Sequence, residues 1–148
     1  MNKPLVISSC FMQLLLSCVS PVLQKVVYNP KKYNPRVSVY LPRGFTIKRT
    51  AAEGNVEYSY YYSDSSVFYI SSFPTPHSYL EIRKVNAFYD KRDAVRLQKE
   101  LVLSGKDSAG FYWKDITINR LSIGFYRVPA SNLEAMEKAV KSLAVKKQ

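Results

Sequence analysis

Residues 55–73, NVEYSYYYSDSSVFYISSF, decide the fold, because they hold two alternating runs around a short polar turn. In the first run every second residue from Val56 to Tyr62 is apolar or aromatic, which places these side chains on one face of a strand. The polar residues 63–66 interrupt the pattern, and the run VFYISSF follows at residues 67–73. Two such runs around a short turn predict an antiparallel hairpin.

Further strands are predicted on both sides of this hairpin. RVSVYL, residues 36–41, alternates Val37, Val39 and Leu41 on one face, and FTIKR alternates again after the turn at Pro42–Gly44. Towards the carboxyl end, FYWKDITI and RLSIGFYRV show the same period. The chain is therefore rich in predicted strands.

Between these runs the period changes. Apolar side chains at helical spacing predict a helix from about Pro76 to Tyr89, capped either by Thr75 or by a Ser-x-x-Glu box just inside it. Ala94–Ser104 alternates as a strand, although its composition also favours a helix. We predict a strand there, because Gly105–Gly110 would then close a hairpin onto FYWKDITI.

The carboxyl-terminal residues give the clearest helical signal. Ser131–Glu134 has the sequence of a capping box, and lysines are concentrated towards the end, where cations complement the helix dipole. One apolar stripe is formed by Leu133, Met136, Ala139 or Val140, and Leu143.

This order of elements predicts an α+β domain over residues 36–148. We expect a largely antiparallel sheet of about six to seven strands covered by helices, including the carboxyl-terminal helix. The element order and the stretch VSVYLPRGFTI at residues 37–47 resemble PsbP-like envelope and thylakoid proteins. The resemblance implies the same layered α/β sandwich.

The amino-terminal residues are typical of a secretory signal. Lys3 precedes an uncharged, mostly apolar stretch from Leu5 to Leu16, which is shorter than the roughly 20 residues that a bilayer crossing needs. Leu15-Leu16-Ser17-Cys18 resembles the lipobox of bacterial lipoproteins. The resemblance implies a signal peptide at residues 1–17 and a diacylglycerol and acyl anchor on Cys18. A thiol that only packs in a buried amino-terminal segment is the alternative.

The implied location is the periplasmic side of the outer membrane, because Val19 stands where an aspartate would imply inner-membrane retention in that family. Residues 18–35 are predicted to be a tether, in which Tyr-Asn-Pro occurs twice. The tether and the residue after it contain a basic arm that would lie on anionic head groups, with each cation contributing about 1 kcal/mol to binding. The alternative is a solvated linker. The members of the arm are Lys25, Lys31, Lys32 and Arg36.

Residues suited to catalysis or metal binding are few. His77 is the only histidine and Cys18 would be acylated, so a histidine-rich or cysteine-rich zinc site is excluded. A Ser-His-Asp arrangement would depend on His77. Gly105–Gly110 lacks the Lys-Ser/Thr ending of a phosphate-binding loop and is better explained as a turn. We predict no catalytic residue, no metal and no cofactor.

The formal net charge of +11 invites a nucleic-acid interpretation, but an exported lipoprotein meets no cellular nucleic acid. A protein or an anionic glycolipid of the envelope is the expected partner. The candidate binding surface is aromatic, unless these side chains face the core on alternating strands. It consists of Tyr58, Tyr60, Tyr61, Tyr62, Tyr69, Tyr112 and Trp113.

The sequence thus favours a lipid-anchored envelope domain that binds a partner without catalytic activity. A hydrolase-type enzyme would need a pocket that brings His77 together with an acid and a serine. A basic nucleic-acid-binding protein would need an amino terminus that is not a signal.

Overall fold

The computed structural model describes residues 22–30, 35–73 and 100–146. These residues form nine strands and one helix. The elements are β1 (Leu23–Tyr28), β2 (Arg36–Pro42), β3 (Thr46–Ala52), β4 (Asn55–Tyr61), β5 (Val67–Ser71), β6 (Leu101–Lys106), β7 (Tyr112–Ile118), β8 (Leu121–Val128), α1 (Ala130–Lys141) and β9 (Ala144–Lys146).

The strands form two antiparallel sheets. A three-stranded sheet has the order β1-β2-β9, and a six-stranded sheet has the order β3-β4-β5-β8-β7-β6. The predicted hairpin at residues 55–73 is confirmed, because β4 pairs with β5 and places Glu57 opposite Ser71. The other alternating runs correspond to β2, β3, β7 and β8.

The main core lies where the two sheets and the helix meet. Val37, Val39 and Leu41 of β2 are fully buried, and they belong to one cluster with Phe68 of β5 and with residues of β8 and α1. The hydroxyl of Tyr28 donates a 2.9 Å hydrogen bond to the backbone oxygen of Val56. This bond joins the edge of the smaller sheet to the larger one.

Helix α1 turns its apolar stripe into this core, as predicted. Met136 and Ala139 are buried, and Leu133, Val140 and Leu143 pack against the same cluster while partly buried. The helix therefore helps to close the core between the two sheets.

The predicted capping box is wrong. The N-cap residue is Pro129, in extended conformation, and no side chain caps the first turn. Proline suits this position because its φ is already fixed near the helical value and it has no N–H to satisfy. The amide side chain of Asn132 instead donates a hydrogen bond to the carboxylate of Asp64, in the β4–β5 turn.

The predicted fold class is wrong as well. Among the described residues the fold is largely β, with two sheets and a single helix of 12 residues, rather than one sheet covered by helices. An alternating strand shows that one of its faces is buried, but not whether a helix or a second sheet covers it, since both offer apolar surface.

Strand β1 lies within residues 18–35, the predicted tether. Its six residues all pair with β2, and Val26 and Tyr28 point into the core. The folded part of the chain therefore begins before residue 36. The prolines at positions 30 and 35 lie beyond the end of this strand and do not interrupt it.

The region before β7 agrees with the strand prediction only in part. Strand β6 runs from Leu101 to Lys106, and the turn after it begins at Asp107, whose carboxylate accepts 2.9 Å hydrogen bonds from the N–H groups of Ala109 and Phe111. The predicted helix at residues 76–89, His77, Cys18 and the first part of the 94–104 segment lie outside the described residues.

Candidate functional site

Three of the predicted surface tyrosines belong to the core instead. Tyr58, Tyr60 and Tyr62 pack in the cluster between the sheets, and Tyr60 is only 2% exposed. The hydroxyl of Tyr62 donates a 3.0 Å hydrogen bond to the backbone oxygen of Pro42. Burial raises the pKa of both Tyr60 and Tyr62, so their hydroxyls stay protonated.

The remaining aromatic candidates lie in different places. Tyr69 and Trp113 are buried on the opposite face of the six-stranded sheet, and Tyr61, also on that face, is 37% exposed. Tyr112 is half-buried against the main core, and the Nζ atom of Lys106 lies 5.0 Å from its ring centroid. The seven aromatic residues therefore do not form one exposed binding surface.

A buried polar row crosses that opposite face. The strand register places Tyr69 opposite Gly124, and Gly124 opposite Asp115. The Tyr69 hydroxyl donates a short hydrogen bond across β8 to the Asp115 carboxylate. Glycine is required between them, because a Cβ at position 124 would lie 3.0 Å from the Tyr69 hydroxyl and 2.0 Å from the backbone oxygen of Lys114.

A neighbouring row adds more buried polar side chains. It includes Glu57, whose carboxylate accepts a 3.0 Å hydrogen bond from Ser59, which stands opposite Tyr69 in the first row. It also includes Thr117, whose hydroxyl has no hydrogen-bond partner among the described residues. Burial and the charge of Asp115 hold the pKa of Tyr69 well above its ordinary value. Because these groups are closed off from solvent and largely bonded to one another, we assign them a structural role.

The outer face of the three-stranded sheet has a different character. Strand alternation directs Lys25 of β1, Arg36 of β2 and Lys146 of β9 to the same side. Arg36 stands directly opposite Lys146, and Lys25 stands opposite Tyr40 with its Nζ atom 6.0 Å from the ring centroid. We call this surface the basic face.

The three cations surround a hollow of about 90 Å³. Ser38 lies at its centre, between Val27 and Ala144 on the neighbouring strands. None of the described residues that line the hollow is acidic. Like charges directly opposite each other, as in Arg36 and Lys146, destabilise a sheet, so the arrangement favours an anion that would relieve the repulsion.

Ser142 fixes the position of β9 and therefore of Lys146. Its hydroxyl accepts a 2.9 Å hydrogen bond from the N–H of Tyr40 and donates a 2.6 Å hydrogen bond to the backbone oxygen of Ala139. Its own N–H bonds to the carbonyls of Lys138 and Ala139, which ends helix α1. The chain then returns as β9, antiparallel to β2.

Sequence reasoning found two of the three cations. Lys25 and Arg36 belong to the predicted basic arm, whose other members, Lys31 and Lys32, lie outside the described residues. Lys146 was missed, because the lysines near the carboxyl end were attributed to a helix terminus. The only sequence signal for β9 is the alternation in Ala144–Lys146, which is too short to stand out.

A larger groove, of about 380 Å³, lies between α1 and the β6–β7 hairpin. Leu133 and Phe125 contribute apolar surface to it, and Glu137 lies at its border. The Glu137 carboxylate is 2.6 Å from the Nζ atom of Lys114. Its charge is therefore already neutralised, which leaves the groove without the concentrated charge of the basic face.

Comparison of the chain with protein-family models, with curated proteins and with solved structures finds no match. Within residues 22–30, 35–73 and 100–146, no group of three or more His, Cys, Asp or Glu side chains is placed to hold a metal ion. None of the helical structure in these ranges has the length and apolar character needed to cross a bilayer.

Proposed function

We propose that this chain is a lipid-anchored binding domain of the bacterial envelope, without catalytic activity, whose basic face lies against anionic lipid head groups. The observation that carries the proposal is the convergence of Lys25, Arg36 and Lys146 on one open sheet face with no acidic neighbour among its described lining residues. Opposite charge is what such a face would recognise.

The strength of the attraction suits a domain that also carries an anchor. Each cation near an anionic membrane contributes about 1 kcal/mol, so these three supply roughly 3 kcal/mol, too little for stable binding alone. A membrane protein of this kind needs two signals. Acyl chains on Cys18 would be the first signal, and the basic face would be the second and would set the orientation.

The position of the anchor agrees with this orientation. Cys18 precedes the start of β1 at Leu23 by five residues, a reach of at most about 18 Å. Because β1 also carries Lys25, a lipid on Cys18 would hold the basic face close to the head groups.

Salt-dependent vesicle binding tests the basic face. The full chain with Cys18→Ser is titrated with phosphatidylcholine vesicles that do or do not contain phosphatidylglycerol, at several salt concentrations. Residues 1–17, with Lys3 and the amino terminus, are shared by all variants and contribute equally to each. A difference between variants in the salt-sensitive part of binding therefore reports the substituted cations.

A triple change on the basic face, Lys25→Gln with Arg36→Gln and Lys146→Gln, is compared with a matched change elsewhere. The matched change replaces three exposed cations outside the basic face by Gln, namely Lys48 and Arg49 of β3 and Arg120 of the β7–β8 turn. We expect about a 100-fold loss of salt-sensitive binding for the basic-face change, and less than about fivefold for the other. Equal losses would mean that net charge alone acts, and an absence of salt-sensitive binding in the parent would overturn the proposal.

The anchor is tested separately, on the chain expressed in a bacterium with an outer membrane. Intact mass and detergent partitioning are compared with those of Cys18→Ser. We expect loss of residues 1–17, a lipid mass and detergent partitioning in the parent only. A parent protein that retains Met1 and no lipid would exclude the anchor and leave a basic protein whose binding to oligonucleotides should then be measured.

A further inference from the structure

We propose that the hollow above Ser38 binds one phosphate group, and that the basic face prefers lipids whose head group is a phosphate monoester. The inference deepens the proposed function and depends on it, because the phosphate is taken to come from a lipid. It adds a defined site and a chemical preference to what would otherwise be a general attraction between charges.

The hollow exists because small side chains occupy the centre of the face. The register places Ser38 of β2 between Val27 and Ala144. The long side chains of Lys25, Arg36 and Lys146 stand around this centre and line the same hollow. Small residues inside a ring of cations leave room for an anion to approach the sheet itself.

The size of the hollow fits one compact group. A hollow of about 90 Å³ has room for a compact anionic group the size of a phosphate, and it is open on one side to the head group that would carry it.

The charges and donors also fit a phosphate monoester. Such a group carries roughly −1.5 to −2 at pH 7, more than a phosphodiester, and accepts several hydrogen bonds. Arg36 can donate two parallel N–H bonds to its oxygens, Lys25 and Lys146 supply further cationic donors, and the Ser38 hydroxyl is a neutral donor at the floor. A second negative charge would also lessen the repulsion between Arg36 and Lys146.

Filling the hollow with an uncharged side chain changes no charge on the protein. Such a variant therefore tests the phosphate site separately from the general attraction between the cations and anionic lipids. Ser38→Leu fills the hollow from β2 and Ala144→Leu fills it from β9. Ser104→Leu, at an exposed serine of β6 in the other sheet, is the matched control. Thermal unfolding of each variant establishes that it is folded, and either filling variant is sufficient for the test.

The probes are vesicles containing phosphatidic acid or phosphatidylglycerol, and soluble glycerol 3-phosphate, each with the Cys18→Ser chain. We expect the unfilled protein and Ser104→Leu to bind phosphatidic acid about tenfold more tightly than phosphatidylglycerol. In Ser38→Leu and Ala144→Leu this preference should disappear, while the salt-sensitive binding to phosphatidylglycerol remains. Nuclear magnetic resonance shifts on adding glycerol 3-phosphate should centre on residue 38.

Other outcomes overturn the inference in distinguishable ways. Equal binding to both lipids, or a preference that survives filling of the hollow, removes the phosphate site and leaves the proposed function intact. Binding of glycerol 3-phosphate without salt-sensitive vesicle binding would assign the hollow to a soluble phosphate ester and overturn the lipid source together with the proposed function. No binding of any probe would overturn both.

Discussion

The two sheets use polar residues in opposite ways. In the six-stranded sheet all five residues of β5 are buried, and the polar groups of the row opposite the main core are closed off, with Tyr69 bonded to Asp115. In the three-stranded sheet one face is buried and the other presents Lys25, Arg36 and Lys146 around a hollow with no acidic residue among its described lining residues. Satisfied polar groups stabilise the fold, whereas unneutralised charge is available to a ligand.

The largest difference in stability should separate the two faces of the three-stranded sheet. Tyr28→Ala removes a fully buried ring and the bond to Val56, so we expect a loss of about 4 kcal/mol in the free energy of unfolding. Tyr40→Ala, on the basic face and 44% exposed, should cost less than about 1 kcal/mol. Urea denaturation followed by circular dichroism measures both, and equal losses would contradict the division into faces.

Adding one carbon to the six-stranded sheet should have the next largest effect. In Gly124→Ala the new Cβ meets the backbone oxygen of Lys114, which a side-chain rotation cannot relieve, so we expect a loss of about 3 kcal/mol. Ala144→Leu adds more atoms on the basic face and should change stability by less than about 0.5 kcal/mol. A larger loss of stability in Ala144→Leu than in Gly124→Ala would contradict this difference between the two sheets.

Removal of a single tyrosine hydroxyl should also destabilise the six-stranded sheet more than the three-stranded sheet, but by a smaller amount. Tyr69→Phe deprives the buried Asp115 of a donor and should cost about 2 kcal/mol, against almost nothing for Tyr40→Phe. Because the pKa of Tyr69 is raised in the folded chain, its contribution to the free energy of unfolding is complete below pH of about 10. Above that pH the same tyrosine ionises first in the unfolded chain, and the contribution diminishes. Stability measured against pH should therefore fall less steeply in alkali for Tyr69→Phe than for the unmodified chain.

The smallest expected effect lies where the six-stranded sheet meets the helix. Burial raises the pKa of Asp64, but hydrogen bonds from the N–H and hydroxyl of Ser66 and from Asn132 outweigh it, and the pKa is lowered. Asp64→Asn should cost about 1 kcal/mol at neutral pH.

A lowered pKa also predicts how this difference depends on pH. The contribution of Asp64 is present above the unfolded value near 4 and is lost as pH falls through the folded value. Unfolding curves of Asp64→Asn and the unmodified chain should therefore converge in acid. A gap that stays constant with pH would show that the carboxylate charge is not involved.

Much of the fold follows from residue periodicity, but its layering does not. Alternation predicted β2, β3, β4, β5, β7 and β8, and the apolar stripe predicted α1. Strand β5 does carry a signal of burial on both faces, because Val67–Ile70 is a continuous apolar run, but it was interpreted by analogy with the alternating run before it, and Tyr69 was therefore expected to contribute to a surface. Strand β1 was hidden by the basic, proline-containing composition around it, and β9 by its length of three residues.

The basic face likewise could be predicted from the sequence only in part. Composition identified Lys25 and Arg36 as basic residues of a predicted arm, but their meeting with Lys146 depends on β2 pairing with β9. Pairing between such distant segments is set by the whole fold, and no local sequence pattern encodes it.

The bond between Tyr40 and Ser142 also dictates when the basic face can exist. It joins residues that are 102 positions apart, so the third strand cannot dock until nearly the whole described chain is available. Contacts of such long range form slowly, since the loop between them must close first. A chain still emerging from a ribosome would thus carry the cations of the basic face before they are assembled into one surface.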